Sequence, residues 1–151
     1  MGLVRFDHSG FTVSDLDRSI AWYSSLLGAA PAVRRRSTDA YMGAMIGYPR
    51  CEMEYAYFPL PGGDSMLELI EYLTPGAGQV GMETNNVGNG HICVLVDDLH
   101  AEFERLKPIA EFRSAAPIEI TAGPNKGGWG AYLRDPDGIT VQLLQRPSAG
   151  V

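Results

Sequence analysis

The sequence contains little cysteine, only Cys51 and Cys93 among 151 residues. Neither thiol belongs to a CxxC or CxxH pair, so no zinc-finger spacing or disulfide framework is present. The chain also lacks a long apolar run, and its first residues do not have the pattern of a secretory signal peptide. We therefore expect a cytoplasmic protein with reduced thiols and no membrane association.

Positive charge is also scarce in this sequence. Its 12 lysines and arginines are outnumbered by 18 aspartates and glutamates, which gives a formal net charge of -6 at pH 7. A nucleic-acid-binding surface needs clustered basic residues, so we expect no nucleic-acid partner. The one basic run is the three arginines at residues 34–36. Such a run is typical of a solvated edge, and contact with an anionic substrate tail is the alternative.

One nine-residue pattern occurs twice, as HSGFTVSDL at residues 8–16 and as HICVLVDDL at residues 91–99. In both copies a histidine is followed by apolar residues at +3 and +5 and by an Asp-Leu pair at +7 and +8. Each half then closes with a strand preceded by Pro-x-Gly: PGGDSMLELIE ends at Glu71, and PDGITVQLLQ ends at Gln145. This repeat indicates one supersecondary unit that is built twice and packs on its own copy.

Periodicity predicts the same order of elements in both halves: a strand, a helix and three strands. The first helix is predicted to begin after an N-cap at Ser14 and to end at Gly28. Its predicted apolar stripe consists of Leu16, Ile20, Tyr23 and Leu27. The second helix is predicted over residues 98–107, and residues 38–50 are predicted to be irregular. The predicted strands span residues 4–13, 32–37, 51–58, 65–72, 91–96, 117–121, 131–134 and 139–145.

The stretch TPGAGQVGMETNNVGNG at residues 74–90 is rich in Gly and Asn and separates the two halves. We interpret residues 1–73 as a first module, residues 74–90 as a linker and residues 91–146 as a second module. Hydrophobic residues make up 45% of the chain, which is sufficient for a packed core. The two modules are therefore expected to form one structural domain over residues 1–146.

Four polar side chains occupy equivalent positions in the two halves, one on the first and one on the last strand of each. They are His8, Glu68, His91 and Gln142. Glu68 and Gln142 lie between apolar neighbours, where a polar group needs a partner. Two imidazoles, a carboxylate and an amide oxygen suit one divalent ion such as Zn²⁺, Fe²⁺, Ni²⁺, Co²⁺ or Mn²⁺. The alternative is a structural role, with each histidine hydrogen-bonded at its strand and Glu68 paired with an arginine.

The chain from residue 6 to residue 145 resembles the vicinal oxygen chelate superfamily, which includes glyoxalase I, methylmalonyl-CoA epimerase, fosfomycin-resistance enzymes and extradiol dioxygenases. The segments that carry the resemblance are HSGFTVSDLDRSIAWYSSLLGA, MLELIEY, GNGHICVLVDDL and AGPNKGGWGAYLRDPDGITVQLLQ. The resemblance implies an α+β fold in which two paired βαβββ modules form an open, cup-shaped mixed sheet around one metal ion. It also implies a small-molecule substrate that chelates the metal, a homodimer, and the four residues above as the metal ligands.

One position departs from the superfamily pattern, because Gln142 stands where glutamate is usual. With one carboxylate instead of two, a divalent ion keeps an uncompensated positive charge and is a stronger Lewis acid. An amide cannot accept a proton, however, and glyoxalase-like and epimerase-like members use that glutamate as a base. The remaining candidates for the base are Glu68 and, in reserve, Glu71.

Three further residues are candidates for the surroundings of the metal. Tyr132 is expected to share a strand face with Arg134. The resemblance implies that Tyr132 is an acid or an orienting donor, and a core aromatic is the alternative. Lys126 and Trp129 belong to the glycine-rich stretch GPNKGGWG, which is expected either to cover the mouth of the cup or to form a solvated hairpin. Cys93 shares a face with His91 by alternation and is expected to be a small buried thiol.

The resemblance leaves three functions open. The first is a metal-dependent isomerase, epimerase or lyase that shifts a proton next to a carbonyl or vicinal oxygens, with Glu68 and Tyr132 as catalytic residues. The second is an Fe²⁺ dioxygenase of extradiol type, with a triad rebuilt from His8, His91 and Glu68. The third is a drug-binding resistance protein without catalysis.

Overall fold

The computed structural model describes residues 2–148. The chain divides into two compact units with a boundary between Gln79 and Val80. Each unit contains a mixed β-sheet and at least one helix, so the prediction of an α+β fold is confirmed. Within residues 2–148 there is no helix with the length and apolar character that a membrane span requires.

The first unit contains four strands and two helices. They are β1 (His8–Thr12), α1 (Leu16–Leu27), β2 (Val33–Ser37), α2 (Ala40–Ile46), β3 (Glu52–Pro59) and β4 (Met66–Thr74). The strand order is β1-β4-β3-β2, with β1 parallel to β4 and the other pairs antiparallel. Side chains alternate in exposure along β1, as the sequence predicted, and the opposite side of the sheet buries Phe58, Leu67 and Leu69.

Helix α1 begins one residue later than predicted, because Asp15 and not Ser14 is its N-cap. The Asp15 carboxylate accepts a 2.9 Å hydrogen bond from the backbone N–H of Arg18, while the Ser14 hydroxyl accepts one from the Arg18 guanidinium. The predicted stop at Gly28 is confirmed, with a φ of 66°. The buried face is rotated from the predicted stripe, because Trp22 and Leu26 are buried whereas Ile20 and Leu27 are only partly so.

Helix α2 corrects the prediction of an irregular stretch at residues 38–50. Its sequence contains Gly43, a poor helix former. A Cβ at that position would lie 2.5 Å from the backbone oxygen of Tyr48, so glycine is needed for the chain to turn back closely. Met42 and Ile46 pack against a cluster of Cys51, Met53 and Tyr55. Tertiary burial of this short apolar face therefore outweighs its weak local propensity.

The second unit contains five strands and one helix. They are β5 (His91–Leu95), α3 (Leu99–Leu106), β6 (Glu111–Phe112), β7 (Ile118–Glu119), β8 (Trp129–Arg134) and β9 (Thr140–Gln145). The strand order is β5-β9-β8-β6, with β7 also paired to β8 and β5 parallel to β9. The third element of this half is thus two short strands, β6 and β7, where the sequence predicted one at residues 117–121. Helix α3 matches the predicted helix, with Asp98 as N-cap and Lys107 as C-cap.

The same hydrogen bond ties the helix to the last strand in both units. The N–H of Leu16 donates to the Glu71 carboxylate, and the N–H of Leu99 donates to the Gln145 side-chain oxygen, each at 2.8 Å. Both acceptors satisfy a backbone donor at a helix N-terminus, where intrahelical partners are missing. The internal repeat therefore extends to the contacts that fix where each helix begins.

Candidate functional site

His8 and Glu68 face each other on the parallel strands β1 and β4. Glu68 pairs in register with Gly10, two residues beyond His8. The His8 Nε2 lies 3.4 Å from the Glu68 Oε2, and the Glu68 residue is only 8% exposed. A Cβ at Gly10 would lie 3.3 Å from that carboxylate oxygen, so the missing side chain leaves it room. The register of the two strands therefore places a nitrogen donor and an oxygen donor side by side.

Asp7 orients the His8 ring, and the sequence reasoning missed it. The Asp7 Oδ2 lies 2.9 Å from the His8 Nδ1. The hydrogen bond to His8 lowers the pKa of Asp7 below its ordinary value. A carboxylate that holds one ring nitrogen of a histidine leaves the other nitrogen free to bind a metal, and such a partner is common behind metal-bound histidines. The adjacency of Asp7 and His8 in the sequence was the available signal.

Tyr57 is a second residue that the sequence reasoning missed. It lies directly across from Glu68 in the antiparallel β3–β4 pair. Its ring packs edge-on against His8, with 5.6 Å between ring centroids. Burial, together with a hydrogen bond to Glu68, raises the pKa of Tyr57, so its hydroxyl remains a donor to the carboxylate. Tyr132 lies across from Gln142 in the other half, and this match was the signal for Tyr57.

The second unit repeats this arrangement around His91, Tyr132 and Gln142. Tyr132 pairs across from Gln142 in register, and its hydroxyl donates a 3.2 Å hydrogen bond to the Gln142 Oε1. The rings of His91 and Tyr132 pack edge-on, with 5.4 Å between centroids. The partner that a half-buried amide needs is therefore the Tyr132 hydroxyl.

Two cavities of the second unit adjoin these side chains. One, of ≈ 330 Å³, is lined largely by apolar groups such as Ile118 and Ile120 and also by Gln142. The other, of ≈ 380 Å³, is lined by Thr84, His91, Arg113 and Tyr132. Arg113 and Tyr132 line both. A small organic molecule in either cavity would touch the Tyr132 ring.

The His8 and Glu68 donors of the first unit have the spacing of two metal ligands. Two ligands about 2.1 Å from a tetrahedral ion lie about 3.4 Å apart. The distance of 3.4 Å between His8 Nε2 and Glu68 Oε2 matches that value. Among the described residues of either unit, no three His, Cys, Asp or Glu side chains form a group that could hold an ion.

Three residues have surroundings that the sequence did not predict. The Glu71 carboxylate accepts the Leu16 N–H at the start of α1. Cys93 is exposed, while Cys51 is the buried thiol. Trp129 begins β8, and its ring packs on His100 with 4.5 Å between centroids.

The glycine-rich stretch before Trp129 is a hairpin connection. The backbone N–H of Gly127 donates to Ile120 O, and the N–H of Ile120 donates to Gly128 O. This is the solvated hairpin that the sequence left as the alternative, with Lys126 exposed on it.

The arginines at residues 34–36 are on the edge strand β2, and each is paired with a carboxylate. Arg34 contacts Asp17 and Glu54, at 2.6 and 3.0 Å. The other two pairs are Arg35 with Asp39 and Arg36 with Glu52. The run is therefore a solvated, charge-matched edge.

Comparison with known proteins gives a consistent family assignment. The model of the Glyoxalase/Bleomycin resistance protein/Dioxygenase superfamily matches residues 5–143. A probable lactoylglutathione lyase of Vibrio cholerae is 31% identical over 96% of this chain and 93% of its own length. A 2-epi-5-epi-valiolone epimerase of an Actinomyces species is 27% identical over 97% of this chain and 82% of its own length. The crystal structure of a glyoxalase family protein from Bacillus cereus matches with a TM-score of 0.84 at 24% identity, over 98% of this chain and 97% of that one.

Proposed function

Because this chain belongs to the Glyoxalase/Bleomycin resistance protein/Dioxygenase superfamily, we propose that its divalent metal ion is bound by four side chains, two from each unit. The four are His8, Glu68, His91 and Gln142. The chain is a metal-dependent enzyme of glyoxalase type, a lyase or isomerase that moves a proton next to a carbonyl or vicinal oxygens of a small organic substrate. Beyond this enzyme class, we propose the metal ligands, the catalytic base and the substrate.

The 3.4 Å approach of His8 Nε2 to Glu68 Oε2 is the observation that carries the ligand proposal. This pair offers one imidazole and one carboxylate, which suit Zn²⁺, Fe²⁺, Ni²⁺, Co²⁺ or Mn²⁺. His91 and Gln142 occupy the repeat-equivalent strand positions, each beside Tyr132. Two donors are too few to hold such an ion tightly, so both pairs are required. The ligand set is the same whether the second pair comes from the same chain or from a second chain.

Glu68 is the residue that we propose as the base. Gln142 cannot accept a proton, and Glu71 is held at the start of α1. When bound, the metal ion supplies Lewis acidity toward the oxygen of the substrate carbonyl. A carboxylate that binds through one oxygen keeps the other for proton transfer. Glu68 takes the proton from the carbon that bears the hydroxyl and returns it to the former carbonyl carbon, while the hydroxyl proton passes to the carbonyl oxygen, so that the hydroxyl and the carbonyl exchange places. Tyr57 donates a hydrogen bond to the Glu68 carboxylate.

The substrate that we propose is a 2-hydroxy carbonyl compound, with the lactoylglutathione class as first candidate. Lactoylglutathione, named in several relatives, is a thioester with a hydroxyl on the carbon next to the carbonyl. The cavities beside Tyr132, at ≈ 330 and ≈ 380 Å³, are of the size that binds small organic molecules. Extradiol dioxygenase activity would instead consume oxygen with a catechol, and a drug-binding protein would contain no metal.

Metal content of the purified protein tests the ligand set directly. We expect about one divalent ion per chain without added metal, and its loss in His8→Ala and in His91→Ala. His100→Ala is the matched control, because His100 packs on Trp129 and should leave metal binding unchanged. Full metal retention in either His8→Ala or His91→Ala would rule out a metal site shared by these two histidines.

We also propose that the protein is a cytoplasmic homodimer. Both cysteines are free thiols, which agrees with a reducing compartment. Sedimentation at micromolar concentration should give the mass of two chains, and the mass of one chain would contradict the dimer.

A further inference from the structure

The carboxylate of Glu83 is shared by two arginines of the second unit. Its Oε1 lies 2.8 Å from an Arg134 Nη2, and its Oε2 lies 3.0 Å from an Arg113 Nη2. These hydrogen bonds also lower the pKa of Glu83. The two guanidinium groups therefore share one carboxylate. The arginines of β2 differ, because each of them is matched by its own carboxylate.

Arg113 and Arg134 are fixed beside Tyr132 by the sheet. Arg134 follows Tyr132 by two residues in β8, so both side chains project from the same face. The N–H of Arg113 donates a 2.8 Å hydrogen bond to the carbonyl of Tyr132. Arg113 also lines both cavities that adjoin Tyr132. Arg113 therefore lies at the edge of the space where the substrate is proposed to bind, and Glu83 links Arg134 to it.

The Arg134 side chain is more buried than the Glu83 carboxylate to which it donates. The Arg134 side chain is 16% exposed, whereas that of Glu83 is 55% exposed. The Nε of Arg134 is buried and has no hydrogen-bond partner among residues 2–148. A buried guanidinium nitrogen without a partner is costly, since the group has lost water and gained nothing in return. Glu83 therefore satisfies this arginine incompletely.

Glu83 is on a segment that follows the end of β4 and contains no helix or strand up to β5. The neighbouring Met82 packs on Gly138, where an added Cβ would lie 3.3 Å from the Met82 Cβ. The Asn89 side chain donates to the carbonyl oxygens of Gly81 and Glu83. The segment is thus held by its own hydrogen bonds and packs on the β8–β9 turn, while the Glu83 side chain that binds the arginines stays 55% exposed.

We propose that Arg113 and Arg134 bind a carboxylate group of the substrate, and that Glu83 occupies this site when substrate is absent. A planar carboxylate matches the paired donors of a guanidinium, so an incoming one can replace Glu83 on the Nη groups that now bind it. The displaced Glu83 returns to water, where its ionised form is well solvated. The inference rests on the proposed function, because the anion is taken to belong to the substrate of the same site.

Binding of S-lactoylglutathione, which carries carboxylates, and of its dimethyl ester, which carries none, tests the site by calorimetry. We expect the wild-type protein to bind the acid more tightly than the ester. Arg113→Gln should weaken binding of the acid by about tenfold and leave the ester unchanged. Glu83→Gln should tighten binding of the acid by up to about tenfold, because the site is no longer occupied by an internal carboxylate. Arg35→Gln, in the first unit, is the matched control.

Several outcomes would overturn the carboxylate site. Equal affinity for the acid and the ester would do so, as would equal binding of inorganic phosphate, which would identify a general anion site. Absence of binding to both compounds in protein with its full metal content would overturn the inference and leave the metal ligands standing. By contrast, loss of metal in His8→Ala with the acid-over-ester preference retained would support the carboxylate site independently of the metal ligands.

Discussion

The Tyr132 hydroxyl donates a hydrogen bond of 3.2 Å to the Oε1 of Gln142, the oxygen that we propose as a metal ligand. Tyr57 stands in the same relation to Glu68 across the other sheet. An amide whose oxygen accepts from a tyrosine keeps a second lone pair on that oxygen for an ion. The tyrosine therefore orients the amide so that its oxygen, and not its nitrogen, faces the proposed metal site. A carboxylate needs no such orientation, because both of its ends are oxygens.

Substitution of Gln142 tests coordination through the amide. Gln142→Glu should tighten metal binding, because a charged ligand replaces a neutral one, and should lower kcat as the ion becomes a weaker Lewis acid. Gln142→Leu should weaken metal binding by about 10- to 100-fold. Metal titration followed by mass spectrometry measures the metal affinity of both variants, and a rate assay measures kcat. Unchanged affinity in both variants would show that His8, Glu68 and His91 hold the ion alone and would favour the dioxygenase alternative.

Removal of one hydroxyl tests the role of Tyr132. Tyr132→Phe keeps the ring against His91 but leaves the Gln142 oxygen without its donor. Since outer-shell partners of metal ligands commonly contribute 10- to 100-fold, we expect kcat or metal affinity to fall by about that factor. Tyr41→Phe, at a tyrosine that is 63% exposed in α2, is the matched control. Equal effects of the two substitutions would place Tyr132 outside the site.

A pair of substitutions at Glu71 separates structure from catalysis. Glu71→Ala removes the acceptor for the Leu16 N–H and should lower the free energy of unfolding by about 1 kcal/mol in urea. Glu71→Gln keeps an acceptor oxygen, as Gln145 does in the second unit, and should retain activity. A large loss of kcat in Glu71→Gln at unchanged stability would restore Glu71 as a candidate base.

The two thiols should differ in reactivity. Burial raises the pKa of both thiols, so the expected difference rests on access, and Cys51 is only 6% exposed. Cys93 is exposed on β5. Alkylation of the native protein at pH 8, followed by peptide mass spectrometry, should modify Cys93 at least about tenfold faster than Cys51. Cys93→Ser should remove the fast reaction, and comparable native rates would contradict this burial of Cys51.

Much of the architecture follows from local patterns in the sequence. The duplicated His and Asp-Leu spacing identifies two copies of one unit, and alternation places His8 on the face of β1 that Glu68 of β4 adjoins. Gly28 ends α1 because only a residue tolerant of positive φ continues the chain there. The α+β class and the enzyme class required no more than the sequence and its resemblance, whereas the parallel pairing of the first and last strands of each unit came from the structure.

Other features were beyond local patterns because they depend on contacts between distant segments. Helix α2 contains Gly43 and forms because Met42 and Ile46 are buried against strand residues that follow it. Nothing in the sequence near Glu71 distinguishes a helix anchor from a base, since its partner Leu16 is 55 residues away. The hydrogen bond between Arg134 and Glu83 joins residues that are 51 positions apart in the sequence.

The sequence by itself determined which residue types recur at equivalent positions of the two units, because periodicity and punctuation are properties of the local chain. The tertiary structure alone decided which of those side chains have partners. Tyr57 holds Glu68, Asp7 holds His8, and Glu83 occupies Arg113 and Arg134. Burial removes water from a polar group, and the group that replaces the water is set by the packing of whole strands and segments.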